Sequence, residues 1–364
     1  MKPKIGFIGL GLIGGSIAKA VRQYYPDYEI VAFDKNKETL ALATQESVID
    51  VAATTIDDNF YHCRYLFLCA PVSCNTAYLK QLVRYLDTDC ILTDVGSVKS
   101  SIHREVERLG IEEYFIGGHP MAGSEKSGYA NSKAMLLENA YYVLTPTDKV
   151  SEEKTKAYAE FVQSLKALPI LLDDRTHDYV TGTISHLPHV IAASLVGLVR
   201  DTDTEDELMK SLAAGGFKDL TRIASSSPTV WQHICVKNKD NLTRILDSYI
   251  ASLKTARERI ASGDEQWIYQ LFDSSRNYRN SISETSSGPI KKAFAVYCDI
   301  IDEAGGIAAI ATILASGGIN IKNIGIVHNR EFEEGVLRIE FYEEAAQEKA
   351  AELLQKFRYI VYER

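Results

Sequence analysis

At 364 residues the chain is too long for one typical core, so two or three domains are expected. A formal charge of −9, with no offsetting run of lysine and arginine, argues against a nucleic-acid partner. Six scattered cysteines without CxxC spacing fit neither a disulfide framework nor a zinc site, which points to a reducing, cytoplasmic compartment and to no structural metal.

Residues 4–10, KIGFIGL, read as a strand that stops at Gly9-Leu10-Gly11-Leu12-Ile13-Gly14, after which Ile13, Ile17, Ala20 and Val21 continue at helical spacing. Lys2, Lys4 and Ala18-Lys19-Ala20 give the same run the outline of a signal peptide, but the ordered glycines favour a strand-turn-helix unit. In that unit Gly9 makes the turn, Gly11 lets backbone approach a pyrophosphate and Gly14 lets helix pack on strand. A second strand, 29–33, ends in Asp34, about 20 residues past the last glycine, where a carboxylate accepts from ribose hydroxyls and repels a 2′-phosphate. The cofactor expected is NAD, held by Gly9, Gly11, Leu12, Ile13, Gly14 and Asp34, with Pro71 on the same crevice.

Further strands at 65–70, 90–95 and 114–117, separated by helical patterns at 74–86 and 98–109, give a Rossmann-type doubly wound parallel sheet. Loops at the carboxyl ends of its strands bring Pro71, Ser97 and His119 to one crevice. His119, in GGHPMAGSE at 117–125, sits between a glycine pair and a proline, which predicts a tight loop. Its imidazole suits a general base, although a turn-capping histidine fits this stretch equally well. Ser97 can also cap the helix that follows it, and Glu125 can be a solvated loop acid.

Two more strands, 141–144 and 168–172, flank a helix at 151–165, and residues 174–283 are then almost wholly helical in period. The uncharged run 179–199 is long enough to span a bilayer, but His186, Pro188 and His189 make a buried helix in a soluble core the better reading, packed against its copy in a homodimer. Pro188 should kink it. His186 and His189 resemble a metal pair on a helix, yet no third ligand cluster accompanies them, so one histidine facing a cleft is expected instead. Asp219 and Arg222, at i and i+3, are either a surface ion pair or a guanidinium fork for a carboxylate.

Residues 283–289, SETSSGP, read as a linker, which gives a Rossmann domain at 1–173, a helical domain at 174–283 and a final unit at 292–364. The last has a ferredoxin-like βαββαβ pattern with Asp302, Gly305 and Gly306 opening its first helix.

Five ordered motifs carry a resemblance over about residues 1–283: GLGLIGGS at the start, DVGSVK at 94–99, GGHPMAGSE at 117–125, SHLPHV at 185–190 and GGFKDLTRIA at 215–224. Together they resemble the prephenate dehydrogenase family. The tail, with DEAGGIAAI and GINIKNI, resembles an ACT domain, the amino-acid-sensing module of some members, although Gly305 stands where the family often has proline. The resemblance implies NAD-dependent oxidative decarboxylation of prephenate to 4-hydroxyphenylpyruvate, on the route to tyrosine. It makes His119 the acceptor of the hydroxyl proton and Ser97 the residue that aligns hydroxyl, imidazole and nicotinamide. It places Arg222, His189 and Ser185 on the substrate carboxylates, with Gly215, Trp231, Asp219 and Glu125 shaping the pocket. It further implies tyrosine as an effector at Asp302, Gly305, Gly306 and Asn320. Arogenate is the rival substrate. A β-hydroxyacid dehydrogenase and a non-catalytic regulator binding NAD and an amino acid are the rival classes.

Overall fold

The computed structural model describes residues 2–123, 126–282, 294–300, 305–327 and 335–362. It falls into two compact units, Met1–Tyr278 and Arg279–Arg364.

In the first unit β1 (Lys4–Ile8), β2 (Glu29–Phe33), β3 (Val51–Ala53), β4 (Cys63–Leu68) and β5 (Ile91–Asp94) form a parallel sheet in the order β3-β2-β1-β4-β5. Helices α1 (Leu12–Tyr24), α2 (Lys37–Gln45) and α3 (Val72–Leu82) lie between these strands in sequence, and α4 (Ser100–Leu109) follows β5. Alternation along β1 separates two cores, as a period of two requires: Ile5 and Phe7 join Ile17 and Val21, while Ile8 joins Leu66, Leu79 and Val106 on the opposite face. The short strand β3 and helix α2 were not foreseen from the periodicity.

The sheet does not continue as one parallel array. Strand β6 (Ile116–Pro120) pairs antiparallel with β7 (Tyr141–Pro146), which pairs parallel with β8 (Leu168–Leu171) across helix α5 (Glu152–Ser164). A single bridge, Leu92 to Phe115, ties this second sheet to β5. Only two short 3-10 turns lie among the described residues between β6 and β7, and without a crossover helix the chain returns in the opposite direction.

Helix α6 (Asp174–Thr181) runs through a π turn at Gly182–His186 into α7 (Leu187–Thr202). Pro188 has no N–H to offer Ile184, and the wider turn just ahead of it, closed by Leu187 N–H onto the Gly182 carbonyl, absorbs the missing bond. The run Asp174–Thr202 is long and apolar enough to cross a membrane by length and composition. The expectation that it is buried does not hold within the chain: Ile184 is 63% and Leu198 60% exposed, and of α7 only Leu187 and Ala192 are buried. Among the described residues of this unit, nothing covers the whole of its apolar face. After α8 (Leu208–Leu212) and α9 (Gly215–Thr221), α10 (Pro228–Lys237), α11 (Lys239–Ala261) and α12 (Glu265–Ser281) complete the helical part, with Leu187, Leu242 and Ile245 as its small core.

The second unit has four antiparallel strands, β9 (Phe294–Ile300), β10 (Asn323–Val327), β11 (Gly335–Phe341) and β12 (Val361–Tyr362), in the order β10-β11-β9-β12. Val296, Leu337 and Ile339 pack there against Ile310 and Leu314 of α13 (Gly306–Ser316) and Leu354 of α14 (Glu344–Lys356). The expected linker 283–289 lies outside the described residues.

Candidate active site

The glycine-rich turn is built as its sequence requires. Gly9 has φ +98°, and a Cβ there would stand 2.9 Å from the Ala70 nitrogen. A Cβ on Gly14 would stand 2.5 Å from the Gly9 carbonyl oxygen, so α1 lies directly on the turn. A Cβ on Gly11 would meet nothing within 4 Å, and Gly11 gives α1 no side-chain cap, which leaves the first amides of that helix to a ligand. At the end of β2 the Asp34 carboxylate accepts from Leu10 N at 2.7 Å and from Asn36 N at 2.8 Å, so it braces the glycine turn while facing the same space.

That space is a cleft of about 1080 Å³. One end is lined by Gly9, Gly11, Leu12, Ile13, Asp34, Lys35 and Pro71; Gly96, Ser97, Ala122, Gly123 and Lys126 follow, and His189, Arg222, Val230, Trp231 and His233 line the helical side. Motifs distant in sequence therefore meet in one crevice between the parallel sheet and the helices. Gly14 lies behind the turn. Ser185, Gly215 and Asp219 do not reach the cleft wall of this chain: Ser185 uses its backbone carbonyl to accept from His189 Nδ1 at 2.9 Å, and Asp219 is exposed on α9. Glu125 lies outside the described residues. Gly305, Gly306 and Asn320 belong to the second unit, and Asp302 lies outside the described residues.

The histidine pair of the SHLPHV motif is split. His186 is buried and accepts from the Asn238 amide at 3.1 Å. His189 faces the cleft and stacks on Trp231, with ring centroids 3.6 Å apart at 21°. Burial lowers the His189 pKa, and nearby Arg222 lowers it further; the single N–H of the neutral ring is given to the Ser185 carbonyl, so Arg222 is the cation at this end of the cleft.

His119 is not on a loop. It is the fourth residue of β6, in register with Val143. The glycine pair before it serves close packing: a Cβ on Gly117 would stand 2.3 Å from Thr145 Oγ1, and one on Gly118 would stand 2.6 Å from the Asp94 carbonyl oxygen. Half-buried at the end of the strand, His119 is not among the residues that line this cleft and stands three residues before Ala122, which with Gly123 does line it.

Its environment determines its tautomer. The Asp178 carboxylate accepts from Lys99 N at 2.7 Å and Ser100 N at 2.9 Å, so it caps α4 from 78 residues or more away, the task that sequence alone had offered to Ser97. Burial raises the Asp178 pKa, but hydrogen bonds from His177 and these two amides outweigh it and hold the group below the usual carboxylate range. The anion accepts from His177 Nδ1 at 2.9 Å, which leaves His177 Nε2 as an acceptor. His119 Nδ1, 2.8 Å from that nitrogen, then carries the proton, and His119 Nε2 keeps its lone pair. Burial, then His177, Lys99 and His186, push the His119 pKa well below the ordinary imidazole value. Such a group is an unprotonated acceptor at neutral pH. Sequence reasoning missed His177, Asp178 and Lys99; the first two had no motif spacing, and Lys99 stood within DVGSVK without an evident task.

Comparison with known proteins assigns the family. Residues 17–171 match the family description "Prephenate dehydrogenase, nucleotide-binding domain", and residues 173–274 match "Prephenate dehydrogenase, dimerization domain". The chain belongs to the prephenate dehydrogenase family. The prephenate dehydrogenase of Bacillus subtilis (strain 168) is 35% identical over 357 residues, covering 98% of this chain and 96% of that protein. The crystal structure of prephenate dehydrogenase from Aquifex aeolicus in complex with hydroxyphenyl propionate and NAD+ is 31% identical with a TM-score of 0.73, over 78% of this chain and 99% of that one. The Synechocystis arogenate dehydrogenase structure is 28% identical with a TM-score of 0.69, over 77% of this chain and all of that one (100%).

Proposed function

We propose that this member of the prephenate dehydrogenase family oxidatively decarboxylates prephenate to 4-hydroxyphenylpyruvate, with His119 as the general base. The observation that carries the mechanism is the line Asp178, His177, His119, which puts a proton on His119 Nδ1 and leaves Nε2 to accept one. NAD fits the uncapped start of α1, the open face of Gly11 and the Asp34 carboxylate, and when bound it supplies the hydride acceptor. His119 Nε2 takes the proton of the substrate's C4 hydroxyl as the C4 hydrogen leaves with its electron pair. The C–C bond to the ring carboxylate then breaks, its electrons enter the ring, CO2 departs and the 4-oxygen, now phenolic, takes the proton back. Aromatisation drives the reaction, so the residues chiefly align and exclude. Ser97 lines the cleft beside Gly96 and holds the hydroxyl in line, while Arg222 receives a carboxylate beside the His189 ring, which Trp231 and the Ser185 carbonyl fix.

Prephenate is favoured over arogenate by charge. Among the described residues lining the cleft Asp34 is the single carboxylate, at the cofactor end, whereas Lys35, Lys126 and Arg222 bring cations. An ammonium group would find no matching acid on the helical side. The exposed apolar face of α6 and α7 supports a homodimer built on these helices, which light scattering on the purified protein tests. The second unit, with its antiparallel sheet and a positive-φ Gly305 opening α13, supports an ACT-like domain that binds tyrosine as a feedback effector. The enzyme is read as cytoplasmic. Absorbance at 340 nm with prephenate and NAD tests the central reading: turnover is expected in the wild type, and its absence would refute the assignment.

A further inference from the structure

Lys99 is a lysine with no exposed surface; its side chain and that of Asp94 are 0% and 2% exposed. The Lys99 ammonium has three acceptors: both Asp94 oxygens at 2.5 Å and the Gly118 carbonyl at 2.6 Å. An ammonium has three N–H donors and no lone pair, so this cage uses all of them. The Asp94 carboxylate in turn accepts from Gly96 N at 2.9 Å and from Gly118 N at 3.3 Å. One buried pair therefore ties the end of β5, the turn that carries Ser97, and the peptide immediately before His119. The backbone of the same lysine reaches His119 by a second route, since Lys99 N donates to Asp178, which orients His177.

Resting on the reading of His119 as base, we infer that Lys99 is a positioning residue for the reaction: its buried ammonium fixes Gly118, and through it His119, against the end of β5. A cation is not needed there for packing alone, because a buried ion pair gives little net stability over an apolar pair of similar volume. The charged groups facing His119 are His177 and Asp178 from α6, His186 from the π turn, and Lys99 with Asp94 from the β5–α4 connection. Burial lowers the Lys99 pKa and the Asp94 carboxylate works against that, and the field of the ammonium opposes protonation of His119. Position and charge thus act in the same direction, keeping an aligned and unprotonated imidazole.

The test compares Lys99→Met, the double variant Asp94→Asn/Lys99→Met and His119→Asn with wild type. The double variant is included because Lys99→Met alone leaves Asp94 buried without its counter-charge and can fail to fold. Circular dichroism and NAD titration establish that each variant compared is folded and cofactor-competent. In the folded Lys99 variants kcat is expected to fall about 10- to 100-fold, with KM for prephenate within about threefold of wild type. In Lys99→Met the acid limb of the pH–rate profile is expected to move to higher pH as the cation is removed, and to move less in the double variant, which removes the Asp94 anion with it. A fall in kcat with an unmoved limb is what loosening alone would give, and it overturns the inference, as does an unchanged kcat. If His119→Asn loses the limb while the Lys99 variants keep wild-type kcat and limb, the Lys99 inference fails alone. If His119→Asn keeps both, the base assignment fails and this inference with it.

Discussion

His119 and His177 are joined ring to ring, Nδ1 to Nε2 at 2.8 Å, across 58 residues of sequence. The direction of that bond depends on Asp178, which as an anion can only accept from His177. Asp178→Asn offers an amide N–H instead. If that amide turns to His177 Nδ1, each ring proton moves to the other nitrogen and His119 Nε2 becomes a donor. We expect kcat to fall by about 10² to 10⁴ with little change in KM for prephenate or affinity for NAD. Stopped-flow and steady-state kinetics check this, and a kcat within a few-fold of wild type would remove the relay from the mechanism. His119→Asn should lower kcat by a similar factor of about 10² to 10⁴.

The pH dependence of activity follows from the depressed His119 pKa. Protonated His119 cannot accept the hydroxyl proton, so the rate rises as pH rises through its pKa and is flat above it. Because burial, His177, Lys99 and His186 all push that pKa down, the rising limb of kcat/KM should lie below the ordinary imidazole range. It should vanish in His119→Asn. A limb in that mutant identical to wild type would assign it to another group.

Stability has its own pH dependence, with the sign fixed by the same histidines. Burial lowers the His186 pKa from 6.5 to about 4, and His119, His103 and His189 are also lowered. In each case the folded state disfavours the proton while the unfolded chain binds it. The contribution is therefore fully present above about pH 6.5 and is lost as pH falls from there toward the folded pKa, about 4 for His186. The slope is about 1.4 kcal/mol per pH unit for each histidine held neutral. Thermal melts should show Tm falling from pH 7 to pH 5, and a flat Tm over that interval would contradict the burial of these rings.

Asp34 is the residue expected to choose NAD over NADP. Its carboxylate repels a 2′-phosphate, and it also holds Leu10 N and Asn36 N, so Asp34→Ser loses both the repulsion and part of the brace. The ratio of kcat/KM for NAD to that for NADP should drop by at least about tenfold, aided by Lys35 at the same end of the cleft. A wild type that prefers NADP would overturn this reading.

What the sequence disclosed was what local chemistry dictates. The turn Gly9 to Gly14 and the acid at Asp34 were legible because strand period, glycine order and spacing all fall within one βαβ unit. Ser97, His189 and Arg222 were legible through motifs and Trp231 through the family resemblance, and the fold brings all four to one cleft. His119 was read on a loop because glycine and proline punctuate loops, whereas pairing with Val143 makes it part of a strand. Asp178 as the cap of α4 was invisible, since 79 residues separate it from Lys99 and only the tertiary fold joins them. Lys99 itself reads as a surface residue by composition, and its burial depends on Asp94 and Gly118 meeting it from two strands. The antiparallel return of β7 was missed because a strand's pattern does not encode its direction.

The second unit makes the tyrosine proposal separable from catalysis. Every cleft-lining residue lies in Met1–Tyr278, whereas Gly305, Gly306 and Asn320 lie in Arg279–Arg364. A chain ending at Ser287 should keep activity and lose most inhibition by tyrosine. Inhibition that survives at full strength would place tyrosine in the active site, where its phenol resembles the product.

Arg222 is proposed to hold a carboxylate that both candidate substrates carry. It lines the cleft beside His189, whose ring is immobilised on Trp231 and on the Ser185 carbonyl, and its guanidinium is the group proposed to take a substrate carboxylate. Arg222→Gln keeps hydrogen-bonding capacity but loses the charge and the two-pronged geometry. A charge-assisted hydrogen bond of this kind contributes about 1.5 to 3 kcal/mol, so KM for prephenate should rise about 10- to 100-fold with a smaller change in kcat. Trp231→Ala should raise the same KM less, because it frees His189 without removing the cation. Measured in parallel with arogenate, wild type should show the higher kcat/KM for prephenate, since cations outnumber acids among the described residues along the cleft. A preference for arogenate would show that an acid outside that set receives the ammonium, with Glu125 the first position to substitute.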